Sequence, residues 1–130
     1  MSVSVSVHVA PGELIDKISI LGIKLERIKN EAKLANIKIE FDVLTRARDE
    51  AIPTSEKLDQ LTIELRKINE ALWDIEDDIR DCERAKDFSE NFIKLARAVY
   101  FTNDKRMGVK HAINELLGSQ LIEEKSYAAY

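Results

Sequence analysis

The sequence predicts a mainly α protein: a long antiparallel coiled-coil hairpin with C-terminal helices and one short N-terminal β-strand. Three observations carry this. Leu58, Leu61, Leu65, Ile68, Leu72, Ile75, Ile79 and Cys82 recur at alternating spacings of three and four, the heptad seam of a long helix. Leu14, Ile18, Leu21, Leu25, Ile28, Ala32, Ala35 and Ile39 repeat the pattern upstream. Ile52-Pro53 separates the two runs, and the residue before proline avoids the helical region.

The chain of 130 residues fits one domain over 1–130. Residues 2–9 read Ser-Val-Ser-Val-Ser-Val-His-Val, and strict alternation of β-branched residues is a strand signal. Val3, Val5, Val7 and Val9 form one apolar face. A strand needs a partner, which points to Leu121–Tyr127 or to a second copy.

Pro11 suits the first position of a helix over 11–51, with Glu13 and Asp16 near the positive end of its dipole. Thr54 or Ser55 caps the next helix, over 54–86. The short connection folds the two back on each other. Ile20, Ile23, Leu34, Ile37, Phe41 and Leu44 make a second stripe on the first helix, interrupted at Arg27 and Asn30. Two stripes require two neighbours, the C-terminal helices or another subunit.

A third helix occupies 89–117, starting after Ser89, with Gly118 as its natural C-terminal stop. Its apolar positions are Phe92, Leu95, Val99, Val109, Ile113 and Leu116, with polar Thr102 and Arg106 between. Either one helix runs through with a polar layer in its seam, or the chain breaks near 102–104, where Thr102, Asn103 and Asp104 suit a new cap. Residues 119–130 form a polar tail.

The net charge of −4 argues against a general nucleic-acid binder. Residues 54–83 carry ten acidic and four basic side chains, whereas 84–114 carry three and seven, so the two regions complement each other as neighbours. No apolar run is long enough to span a membrane. The single cysteine permits no internal disulfide, and a cytoplasmic location is the simplest expectation.

Catalytic, cofactor and metal motifs are not expected. Asp74, Asp77, Asp78 and Asp81 lie at helical spacing but off the apolar seam, which reads as a solvated face. Cys82 lies in the seam, so it reads as a buried thiol. His8 and His111 have no companion ligands at metal spacing. Trp73 reads as edge-of-core packing. The densest polar cluster is in the third helix, where Asn103, Asp104, Arg106, Lys110 and Asn114 make a candidate ligand site. Arginine and lysine with two amides suit a phosphate or carboxylate. The competing structural role for the cluster is a buried polar layer that fixes register.

Four stretches together resemble a known family: Pro11-Gly12-Glu13-Leu14-Ile15-Asp16-Lys17-Ile18; Ile75-Glu76-Asp77-Asp78-Ile79-Arg80; Tyr100 with Thr102–Arg106, Lys110 and Ile113-Asn114; and Glu123-Glu124-Lys125-Ser126-Tyr127. They are similar to a family of small bacterial and phage proteins of unknown function, DUF6165. The resemblance spans nearly the whole chain and is closest at Thr102–Arg106 and the tail. It implies no activity or catalytic residue. The Ser-Val repeat and Gly22 depart from the family pattern. The functional expectation is a self-associating helical interaction or scaffold protein whose partner is a second copy, as a dimer. The alternative is a binding protein or small enzyme for a small anionic, phosphorylated ligand.

Overall fold

The computed structural model describes residues 2–130. Among these residues are four helices, α1 (Pro11–Arg27), α2 (Glu31–Ala51), α3 (Glu56–Ala85) and α4 (Glu90–Leu116). The long helix expected over 11–51 is therefore two helices. The backbone of Ile28 turns extended (φ −83°, ψ 136°), and the side chain of Asn30 accepts from Lys33 N at 3.0 Å. A capping asparagine satisfies an otherwise unpaired N–H and makes a new helix start favourable there. Lys24 and Arg27 in the last turn of α1 complement its dipole.

The break changes which helices pair. α2 folds back along α1, with Lys17 Nζ 3.3 Å from Glu40 Oε2, and does not pack on α3. The antiparallel partner of α3 is α4, reached through a turn in which Lys86 is left-handed (φ 56°). The expected coiled-coil hairpin between the first and second seams is thus not what the structure shows. Leu34, Ile37, Phe41 and Leu44, from the second stripe, are half-buried on α2, whereas Ala32, Ala35 and Ile39, from the first, are exposed. No residue of α2 is fully buried.

α4 runs unbroken through 102–104, so the polar seam positions form a layer inside a continuous helix. It ends where Gly118 adopts φ 64°, with Gly118 N donating to Glu115 O and Ser119 N to Asn114 O. Glycine takes this left-handed geometry without a Cβ penalty.

The core lies where α1, α3 and α4 meet: Ile15, Leu58, Leu61, Leu65, Val109 and Ile113. α1 runs antiparallel to α4, since Gly12 meets Asn114 and Asp16 meets Arg106. Between α2 and α3 an open groove of about 640 Å³ is lined by Ile18, Phe41, Ile52 and Ile63.

The expected N-terminal strand is absent. Residues 2–9 are exposed and no described residue pairs with them; Val3, Val5 and Val7 are 70–85% exposed. Alternation marks a strand only where a ladder partner exists, and Leu121–Tyr127 does not supply one. The tail instead lies against α4. Glu123 reaches Lys110, Lys125 and the Tyr130 hydroxyl both reach Asp104, and the Tyr130 ring packs 4.6 Å from that of Phe101.

Candidate functional site

The polar seam positions of α4 meet a matching set on α1 and α3. Asp16 is 1% exposed. Arg106 Nε donates to both of its carboxylate oxygens, at 3.0 and 3.1 Å, and Arg106 Nη2 donates to Oδ2. Asn69 Nδ2 donates to Asp16 Oδ1 at 2.9 Å and to Ser19 Oγ at 3.3 Å. The carboxylate accepts only, so this contact fixes which end of the amide faces it. A buried ion pair with its remaining lone pairs occupied avoids the penalty of an isolated buried charge.

One turn along α4, Lys110 is 5% exposed. Its Nζ donates to Glu13 Oε2 at 2.7 Å and to Glu123 Oε2 at 3.0 Å, with Asp16 Oδ2 3.8 Å away. A further turn on, Asn114 Oδ1 accepts from Gly12 N at 2.7 Å, filling an open donor at the start of α1. A Cβ on Gly12 would lie 2.5 Å from Lys110 O and 2.8 Å from Asn114 Oδ1. Glycine at this position is what lets the two helices approach.

The asparagine-bearing side of the layer is open. Asn103 and Arg106 line two clefts at once. One, of about 430 Å³, lies between α1, α3 and α4 and is walled by Asn69, Leu72, Trp73 and Arg80. The other, of about 720 Å³, lies between α4 and the tail and is walled by Tyr100, Met107 and Glu123–Tyr127. The Arg27 guanidinium sits 5.9 Å over the Trp73 ring and is itself bonded to Asp74 at 2.6 Å.

Of the five predicted site residues, Arg106, Lys110 and Asn114 point at α1. Asp104 takes Lys125 and Tyr130. The Asn103 side chain makes no hydrogen bond among the described residues and faces both clefts. Two cations, Arg106 and Lys110, are answered by three carboxylates, Asp16, Glu13 and Glu123. Gly12, Asp16 and Asn69 complete the layer and lie outside the predicted cluster. Gly12 and Asp16 sit within the Pro11–Ile18 stretch that carries the family resemblance. Asn69 had only a weak signal, an amide beside an otherwise apolar seam.

Hydrogen bonding to Asp16 raises the Arg106 guanidinium above its usual pKa, against the opposing effect of burial. For Lys110, burial pulls the pKa down most strongly of any single effect. The hydrogen bonds to Glu13 and Glu123, with the charges of Glu13 and Asp16, together outweigh it, and the ammonium ends above its ordinary 10.5. A raised folded-state pKa means the protonated form favours folding. The Lys110 contribution is full below pH 10.5 and is lost as pH rises through the folded value. Urea melts of the native protein should therefore weaken as pH rises above 10.5 more than those of Lys110→Met. Equal alkaline losses would contradict this assignment.

Asp74 and Asp81 of the acidic stripe are bonded to Arg27 and Arg84, while Asp77 and Asp78 are exposed. Cys82 is buried, with Asn91 Nδ2 3.7 Å from its sulfur. Among the described residues, no helix is long and apolar enough to cross a membrane.

No curated protein and no solved structure matches the chain. A family model does match, over residues 5–130, nearly the whole sequence and all of the polar layer. The chain belongs to DUF6165, a family of unknown function.

Proposed function

We propose that the protein is a self-associating helical interaction module, and that two copies meet through the outer face of α2. One observation carries this: α2 is apolar on two opposite sides. Leu34, Ile37, Phe41 and Leu44 are half-buried on one side. Ala32, Ala35, Ile39, Val43 and Ala47 fall on the other side at 3.6 residues per turn, and all five are exposed. Ile39 and Val43 are 65% and 57% exposed.

The face is self-complementary. A two-fold axis at Ile39 sets Val43 against Ala35 of the partner subunit, large on small. The same axis brings Arg46 near Glu31 of the partner subunit, so the charged ends attract rather than repel. Burying an Ile or Val side chain is worth about 1.5–3 kcal/mol, and the symmetry counts each contact twice.

Light scattering after size-exclusion chromatography should give twice the monomer mass at micromolar concentration. Val43→Asp should give the monomer mass with an unchanged helical spectrum, because Val43 makes no core contact. A native protein that stays monomeric would refute the proposal, as would a Val43→Asp variant that stays dimeric.

A second reading is a binding site for a small anionic ligand on Asn103, Asp104, Arg106, Lys110 and Asn114. The tail favours it: Glu123 already supplies an anion 3.0 Å from Lys110 Nζ. A ligand carboxylate or phosphate would take that place by displacing Glu123.

A further inference from the structure

The cleft between α1, α3 and α4 has unused hydrogen-bonding groups of a particular pattern. Asn69 is 5% exposed, and its Nδ2 is committed to Asp16 and Ser19. Its Oδ1 takes no hydrogen bond among the described residues, yet it is not sealed away from solvent. Asn69 is a wall of this cleft. Arg106 spends Nε and Nη2 on Asp16, which leaves Nη1 as a donor. The Asn103 amide, one turn away on α4, is also unspent. An acceptor on α3 thus sits among donors from α4, beside the indole of Trp73.

The charge at this place has no positive excess. Asp16 neutralises Arg106, and Arg80 is paired with Glu76, leaving Asp77 at the rim. An unanswered positive charge, which a phosphate would need, is lacking in this cleft. A neutral ring suits it better.

We infer that this cleft binds a neutral planar ring with an imide or lactam edge, of the kind carried by a uracil base. The ring N–H donates to Asn69 Oδ1. The flanking carbonyls accept from Arg106 Nη1 and the Asn103 amide. Trp73 supplies the aromatic wall against which the ring packs. A volume of about 430 Å³ accommodates one such ring. The second cleft shares Asn103 and Arg106 and leaves room for a substituent such as a sugar. Pre-placement is the point of the buried pair: Asp16 holds the guanidinium still, so its free edge is aimed before the ring arrives.

Trp73 is the chain's single tryptophan, so its indole N–H resonance reports on this cleft alone. Uridine titrated into the ¹⁵N-labelled protein should shift that resonance saturably. 3-Methyluridine lacks the imide donor and should bind roughly tenfold or more weakly, since it leaves Asn69 Oδ1 buried and unpaired. Asn103→Ala should weaken uridine by a similar factor with an unchanged thermal melt. Uridine monophosphate should bind no tighter than uridine. No saturable shift with uridine, or equal binding of the methylated ring, overturns the inference. Much tighter binding of the monophosphate overturns the neutral class in favour of an anion site. The methylated ligand keeps the test decisive if the Asn103 variant misfolds. None of these outcomes depends on self-association through α2.

Discussion

Gly12→Ala should destabilise the protein by about 3 kcal/mol, from overpacking plus a lost hydrogen bond. The new Cβ would have to fit 2.5 Å from the Lys110 carbonyl oxygen, where real Cβ atoms are not found. The neighbour is helix backbone, so it cannot swing aside as a long side chain would. α1 must lift from α4, and the Gly12 N to Asn114 bond of 2.7 Å goes with it. Gly108→Ala is the matched control. It lies inside α4 with nothing within 4 Å of the added carbon, so helix propensity should raise stability by about 0.5–1 kcal/mol. Urea melts of the two variants should move in opposite directions. Equal shifts would mean that the close approach of α1 and α4 is not what Gly12 provides.

Arg106→Ala should cost about 3 kcal/mol, because Asp16, 1% exposed, loses its hydrogen-bonded counter-charge and keeps only Lys110 at 3.8 Å. The expected effect belongs to the pair and not to either residue. Asp16→Ala alone should also be severe, but Asp16→Ala with Arg106→Met should cost clearly less than the sum of the two. A double-mutant cycle by chemical denaturation measures this coupling directly. Additive losses would show that the two side chains do not act as a unit.

Much of the helical architecture is visible in the sequence, and the reason is local. Pro11, Pro53, Ser55 and Gly118 punctuate the chain through their own backbone and capping chemistry, so their effect needs no knowledge of neighbours. The break at Ile28–Asn30 has the same chemistry, but it lies within a heptad run that continues in register on both sides. Periodicity conceals a turn when the helices on either side keep the same phase. Which helices pair is harder still. The seam of α3 is apolar enough to suit several partners, and only the break in the first helix decides that α4 takes that place. The valine arm misleads for a related reason, since alternation describes one face and not a ladder.

The polar cluster on α4 is legible as residue types and opaque as roles. Arg106, Lys110 and Asn114 look like ligand groups because their partners lie 90, 97 and 102 positions away in the chain. Long-range pairing of this kind leaves no trace in spacing. Asn103 is different: it comes from the same cluster and remains open to two clefts.

α2 packs on α1 without burying any residue fully, and it is joined to the rest by short connections at each end. Its opening would break none of the hydrogen bonds that tie α1, α3 and α4 together. The protein therefore has a cooperative block of three helices and a fourth that can open sub-globally. Amide exchange in α2 should run through that low-energy opening, whereas amides around Asp16 must wait for the block itself to unfold. Where copies associate through α2, the same helix becomes protected by its partner, and exchange there would fall as protein concentration rises.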